Sequence, residues 1–280
     1  MNIHVVYAFT KNGAGGNPAG VVLCNTPLSS DQMQHIAANA GYSETAFIEI
    51  ISQNTQRIRF FAPSKEVALC GHATIASYSW LFQKQHIAKG KHNMLCMAGA
   101  QKIIVNEDGS ISMSQNLPTF GPTLQPDDIS HALRIHPNQI HSTIPIQVAS
   151  TGLHKIFVPL QSISDLNAIS PNQEEIKRVS IQNNSIGMYC YTLETLHSST
   201  AHCRNFAPVV GIMEDSATGT SAAALSTLLH HFGLLSDHPN LNLSYEQGYA
   251  IDTPSEIYVR LEQRDKKITA VWVRGFAHFS

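Results

Sequence analysis

Charge is scarce in this chain: 14% of its 280 residues are Asp, Glu, Lys or Arg, and the formal net charge is −2. No run of lysines or arginines forms a stripe, which excludes the electrostatic footprint of a nucleic-acid binder and any steering toward an anionic membrane. Nowhere does the sequence reach the roughly 18 consecutive apolar residues that a membrane-spanning helix needs. Met1 to Phe9 lacks a basic segment ahead of an apolar core, so it reads as a strand and not as a signal peptide. The five cysteines (Cys24, Cys70, Cys96, Cys190, Cys203) are odd in number, widely spaced and free of C-x-x-C, which argues against a disulfide framework and a zinc knuckle. A reducing cytoplasm is the expected compartment.

Three further absences narrow the chemistry. Fifteen histidines contain no H-E-x-x-H, and the adjacent His230 and His231 point to different sides of a helix, so no metal site is expected. Gly13, Gly15 and Gly16 have the look of a dinucleotide fingerprint, but Pro18 and the β-branched Val21 and Val22 follow where a helix should begin. No G-x-S-x-G occurs, and Ser221 reads as a helix-start hydroxyl and not a hydrolase nucleophile.

What is present is a compact composition, 43% hydrophobic, on a chain long enough for two domains and a sizeable core. It is also a repeated one. Glu66-Val-Ala-Leu-Cys-Gly-His-Ala-Thr-Ile-Ala-Ser77 runs a small-residue turn into a helix, and Glu214-Asp-Ser-Ala-Thr-Gly-Thr-Ser-Ala-Ala-Ala224 does so again. Each follows the same phrase, Arg59-Phe60-Phe61-Ala62-Pro63 in the first half and Arg204-Asn205-Phe206-Ala207-Pro208 in the second. The pattern reads as a duplication with a helix N-terminus in each half. Such termini offer unpaired N–H groups and about half a positive charge, which suits an anion such as a carboxylate.

Strand patterns fall at 3–9, 19–24, 46–50, 57–61, 95–105 and 110–114, with Ser29 to Asp31 capping a helix that Gly41 closes. Pro118, Gly121, Pro122 and Pro126 mark a linker between domains. Strands resume at 147–150, 155–160, 186–193, 200–206, 241–245, 256–261 and 268–273, with helices near 127–134 and 171–178 and after each glycine motif. Each half is expected to be a curved sheet around a central helix. Glu44 stands just ahead of the strand Ala46 to Ile50, a lone carboxylate that on position alone reads somewhat more readily as a solvated strand-end residue than as a catalytic one.

Four motifs in this order, Gly16-Asn-Pro-Ala19, Ser43-Glu-Thr-Ala-Phe47, Cys70-Gly-His-Ala-Thr74 and Glu214-Asp-Ser-Ala-Thr-Gly219, resemble those of the PhzF family of phenazine-biosynthesis-type isomerases. The resemblance spans nearly the whole chain. It implies a diaminopimelate epimerase-like α/β (α+β) fold: two pseudo-symmetric domains, each a barrel-like, mostly antiparallel sheet around a central helix, with the active site in the cleft between them. The last strand of the family often returns to the first domain, so the domains are drawn as 1–117 plus 268–280 and 118–267. The resemblance makes Glu44 the acid/base carboxylate, His72 and Asp215 the other catalytic candidates, and Gly219 with Thr220 helix-start substrate binders. Gly71, Ala73 and Asn17 join the substrate-binding candidates from the same motifs. Thr220 stands where the family often has Ser, and Ser216 where it often has Pro.

The resulting expectation is a cofactor-independent isomerase that shifts a proton within a small carboxylate-bearing substrate, active as a homodimer. Related epimerases use two opposing cysteines. This chain has Cys70 but Thr218 at the second position, and a threonine hydroxyl is too weak an acid to serve as the opposing base. Cys70 is then read as a small packed residue. An epimerase without a thiol pair, and a carboxylate-binding protein without turnover, remain as alternatives.

Overall fold

The structure is a computed structural model and describes residues 2–235 and 240–279. Met1 and Ser280, the outer limits of the domains drawn above, lie outside the described residues. The chain divides into two compact units, Met1–Ser114 with Arg274–Ser280 and Gln115–Val273.

In the first unit β1 (His4–Ala8) runs antiparallel to β2 (Asn17–Leu23), and α1 (Ser30–Ala40) carries the chain to β3 (Thr45–Ser52), parallel to β2. The capping signals act as read. Ser29 Oγ accepts from Gln32 N at 3.2 Å, Gln32 Oε1 accepts from Ser29 N at 2.9 Å, and Gly41 ends the helix in the left-handed conformation. β4 (Thr55–Ala62) pairs antiparallel with β3 and with the short β5 (Lys65–Val67), then comes α2 (Gly71–Gln83). β6 (Gly90–Cys96) lies parallel to β4, and β7 (Gly99–Val105) and β8 (Ile111–Gln115) follow antiparallel. The single strand read from 95 to 105 is thus the end of β6, a turn at Met97-Ala98, and β7.

The second unit opens with β9 (Thr119–Leu124) and α3 (Pro126–Leu133), then β10 (Ile146–Ser150) and β11 (Lys155–Pro159). Helices α4 (Ile163–Ala168) and α5 (Gln173–Gln182) cross to β12 (Met188–Thr192), which is followed by β13 (Ala201–Ala207), β14 (Ile212–Asp215), α6 (Gly219–His231), β15 (Asn240–Gln247), β16 (Ser255–Arg264) and β17 (Lys267–Gly275). The pairings repeat those of the first unit: β10 antiparallel to β11, β11 parallel to β12, β12 antiparallel to β13, β13 antiparallel to β14 and parallel to β15, β15 antiparallel to β16. After β17 the chain adds β18 (Ala277–His278) against β1 in the first unit.

Pro118 to Pro126 is not a linker. Most of it is β9, paired with β10 through Thr119↔Ser150, Phe120↔Ala149, Thr123↔Gln147 and Leu124↔Ile146. The register shifts between Ala149 and Gln147, so Gly121 and Pro122 sit in an irregularity where a proline without an N–H is tolerated. Gln147 Nε2 donates to Gly121 O at 3.0 Å and fastens it.

Two helices account for the core positions. Nine of the thirteen residues of α2 and ten of the thirteen of α6 are buried, so each is apolar around its whole circumference and not along one stripe. Their hydroxyls turn inward on the helix: Ser77 Oγ donates to Ala73 O at 2.6 Å and Ser226 Oγ to Ala222 O at 2.8 Å, which satisfies them without water.

The repeated Arg-x-Phe-Ala-Pro phrase has a shared job. Arg59 grips Glu66 with Nε and Nη2 at 2.7 Å each, and Arg204 grips Glu214 at 2.9 and 2.8 Å. Each guanidinium also lies over the phenylalanine two residues on, 5.1 Å from the Phe61 centroid and 5.0 Å from that of Phe206. In each unit this clamp fixes the hairpin that delivers the glycine motif.

Candidate active site

Glu44 is set by strand pairing. Its carbonyl accepts from Gly20 N at 3.0 Å, and the next residue, Thr45, lies opposite Gly20 in the parallel β2–β3 ladder. A side chain at residue 20 is impossible without movement, because a Cβ there would stand 2.7 Å from Thr45 Oγ1. His72 is the second residue of α2. Its Nε2 lies 3.3 Å from Glu44 Oε2 and 3.3 Å from Ser43 Oγ. Cys70, at the N-cap position of α2, brings Sγ to 3.5 Å from His72 Nδ1. The thiol read as mere packing is therefore in contact with the histidine.

No side chain caps α2, so the N–H groups of its first turn are not taken by an N-cap oxygen. Beside Gly71 there is open space, since a Cβ built there meets nothing within 4 Å. Ala73 is buried in the first turn of α2, and Asn17 is buried at the start of β2, opposite Ala8. Glu44, His72 and Cys70 thus form one cluster, with the open first turn of α2 beside it.

In the second unit Asp215 ends β14, opposite Asn205 of β13. Thr218, the N-cap residue of α6, does not cap the helix with its hydroxyl; Thr218 Oγ1 donates to Asp215 Oδ2 at 2.5 Å. Thr218 Oγ1 in turn accepts from Asn205 Nδ2 at 2.8 Å and Gln247 Nε2 at 3.1 Å, which fills its hydrogen-bonding capacity. Gln247 is wholly buried and also donates to Asp215 O at 2.7 Å, while its Oε1 accepts from Thr218 N and Tyr189 Oη. Gly248, at φ +85°, makes this approach possible, because a Cβ there would stand 2.7 Å from Ser216 O and 2.2 Å from Thr253 O. Gly219 and Thr220 open α6, and Thr151 Oγ1 donates to Thr220 O at 3.1 Å.

Behind this set sits Lys155, 2% exposed, whose Nζ donates to Asn205 Oδ1 at 2.6 Å. Burial pulls its pKa down to about 7, against the attraction of Asp215 and Cys190. Lys155, Asn205, Thr218 and Asp215 form one hydrogen-bonded chain. Thr218 is marked in the sequence only as the residue in place of a second cysteine, and Lys155, Asn205 and Gln247 are not among the sequence candidates. The available signal was Asn205, a polar residue at the position in the repeated phrase where the first half has Phe60.

A cavity of about 630 Å³ lies elsewhere in the first unit, lined in part by Leu28, Met33, Phe47, Glu49, Arg57 and Arg59. Its cations are already matched, Arg57 to Glu49 at 2.6 Å and Arg59 to Glu66, and neither Glu44 nor His72 lines it. Among the described residues no helix is long and apolar enough to cross a membrane.

Comparison with known proteins agrees with the repeated fold and its motifs. The chain is 34% identical over 263 residues to the uncharacterized isomerase YfhB of Bacillus subtilis, covering 91% of this chain and 89% of that protein. It is 28% identical over 276 residues to the trans-2,3-dihydro-3-hydroxyanthranilate isomerase of Pseudomonas aeruginosa, covering 97% and 94%. The crystal structure of a phenazine biosynthesis protein of the PhzF family from Bacillus anthracis superposes with a TM-score of 0.89 at 27% identity, covering 100% of this chain and 97% of that one. The phenazine biosynthesis-like family, PhzC-PhzF, matches residues 6–280, and the chain belongs to it.

Proposed function

We propose that this protein is an isomerase that shifts a proton within a small carboxylate-bearing substrate, with Glu44 as the single acid and base and no cofactor. The observation that carries this reading is the pair Glu44 Oε2 and His72 Nε2, 3.3 Å apart beside the uncapped start of α2. Glu44 takes a proton from a substrate carbon and returns it to another atom on the same face. The His72 ring beside it orients the carboxylate, and the first-turn N–H groups at Gly71 and Ala73 meet negative charge on the substrate. Asp215, Gly219, Thr220 and Asn17 take part in binding and orientation. The saturated hydrogen bonding of Thr218 argues against a base at that position, which disfavours a two-base epimerase. The working state is a homodimer in the cytoplasm, which light scattering at micromolar concentration and fractionation of cells test.

The test uses D2O and, as its first probe, trans-2,3-dihydro-3-hydroxyanthranilate, followed by a panel of small cyclic and acyclic carboxylic acids. Wild type is expected to move a proton within, or wash deuterium into, at least one of them without inverting a stereocentre. Glu44→Gln is nearly isosteric, and loss of a general base lowers the rate by about 10²- to 10⁴-fold. Binding without any exchange identifies a carboxylate-binding protein instead, and inversion identifies an epimerase.

A further inference from the structure

We infer that Glu44, Cys70 and His72 form a binding site for one thiophilic divalent cation of the zinc class. Each side chain offers one ligand atom, and the three atoms lie within 4.8 Å of one another. Among the described residues, no other three His, Cys, Asp or Glu side chains do this. Zinc bonds of about 2.3 Å to sulfur and about 2.0–2.1 Å to nitrogen and oxygen, at tetrahedral angles, separate the ligand atoms by about 3.3–3.6 Å. His72 Nε2 is 3.3 Å from Glu44 Oε2 and 3.8 Å from Cys70 Sγ, with all three ligand atoms within 4.8 Å of one another, so seating the ion draws the side chains inward.

A second observation points the same way. Glu44 Oε2 is buried and accepts no hydrogen bond, even with His72 Nε2 at 3.3 Å, so a carboxylate lone pair is aimed into the cluster without a donor. Buried lone pairs left in that state are costly, and a cation satisfies them. The donor set of one thiolate, one imidazole and one carboxylate suits zinc and disfavours magnesium or calcium, which take oxygen ligands alone. The thiolate and carboxylate supply two negative charges. These outweigh the roughly half positive charge of the α2 N-terminus beside them. Cys70 is 8% exposed and the side chains of His72 and Glu44 are 11% and 15% exposed, which leaves an approach for the ion and a fourth position for water.

The inference concerns binding and does not rest on the isomerase reading. Where that reading holds, the ion occupies the oxygen that must take the substrate proton, so the cation is an inhibitor.

The test is titration of the reduced, metal-free protein with Co²⁺, read by absorbance. The expected result is one ion per chain, a thiolate-to-cobalt charge-transfer band in the near ultraviolet, visible bands of four-coordinate intensity, and displacement of all of them by Zn²⁺. Cys70→Ser removes the charge-transfer band, and Glu44→Gln and His72→Gln each weaken binding at least about tenfold, the scale already seen when groups outside the first coordination sphere are lost. Cys96→Ser, at a cysteine remote in sequence from the cluster, keeps the band, and circular dichroism checks that each variant is folded. Absence of the band in wild type, or its survival in folded Cys70→Ser, overturns the inference. Because nothing in the readout depends on turnover, failure here leaves the isomerase reading standing, and failure of that reading leaves the cation site standing.

Discussion

Lys155 Nζ donates to Asn205 Oδ1 at 2.6 Å inside the second unit, and no carboxylate is within ion-pair distance of that ammonium among the described residues. Burial lowers its pKa from 10.5 to about 7, below its value in the unfolded chain. Between those two values the unfolded chain holds the proton more tightly. The lysine therefore costs stability below about pH 7, and that cost is relieved as pH rises from 7 toward 10.5. Lys155→Met should remove this slope. Urea unfolding at pH 6 and pH 9 is expected to show the difference between wild type and variant moving in favour of wild type, by at most about 1.4 kcal/mol for each pH unit above 7. An equal difference at both pH values would mean that Lys155 is charged throughout that range.

Thr218 Oγ1 joins three polar side chains, so its loss strands partners and does not merely delete a contact. Thr218→Val keeps the shape and removes the hydroxyl, and it should cost about 1–3 kcal/mol as buried groups of Asn205 and Gln247 lose their partner. Thr218→Ser should lie much closer to wild type. Chemical denaturation midpoints of the pair decide this.

The two arginine clamps have the same geometry and different burial. Side chains of Arg204 and Glu214 are 8% and 13% exposed, whereas those of Arg59 and Glu66 are 29% and 21% exposed. Arg204 also donates Nη1 to Leu166 O at 3.1 Å and Ile169 O at 3.0 Å, holding α4 and the segment after it. Arg204→Ala leaves Glu214 charged in a poor solvent and is expected to cost about 3–5 kcal/mol. Arg59→Ala, with water nearer, is expected to cost about 1 kcal/mol or a little more. Denaturation of the two variants tests the ranking, and equal losses would show that burial does not set the cost.

Gly20→Ala tests how Glu44 is set. The new Cβ meets Thr45 Oγ1 at 2.7 Å and Cγ2 at 3.1 Å, so turning the threonine only exchanges one clash for another. Overpacking of this kind costs about 1–3 kcal/mol. Adding Thr45→Ala should recover most of it, and a double variant no better than the single one would place the strain elsewhere.

The sequence was most legible where local rules and the fold agree. Ser29 and Gly41 mark both ends of α1, and the repeated Arg-x-Phe-Ala-Pro marks a duplication that the structure carries as two hairpins with the same clamp. The prolines near 120 misled because a register shift in β9 excuses them, and such a shift depends on the partner strand β10. α4 escaped notice because six residues are too short for a periodic pattern. At the site, Glu44 and His72 were found through motifs that lie 28 positions apart in sequence and meet only through the β2–β3 ladder and the start of α2. Lys155, Asn205 and Gln247 come from three separate strands, and nothing local in any of them announces a shared hydrogen-bonded chain.

Cys70 separates the two roles assigned to its cluster. Its Sγ lies 3.5 Å from His72 Nδ1, close enough for a thiolate–imidazole pair to serve as a base in place of Glu44. If Glu44 is the base, Cys70→Ala should retain proton transfer within about tenfold of wild type while Glu44→Gln loses about 10²- to 10⁴-fold. The same Cys70→Ala should abolish the cobalt charge-transfer band, so one substitution keeps the chemistry and removes the cation site. Rates for both variants are measured by deuterium exchange on the same substrate, with kcat and KM resolved. A folded Cys70→Ala that loses about 100-fold or more in kcat, beside a Glu44→Gln that keeps most of its rate, would move the base to sulfur. Glu44 would then be a residue that orients His72 from the mouth of β3, and the reaction would have to be sought among thiol-dependent epimerisations with a single cysteine.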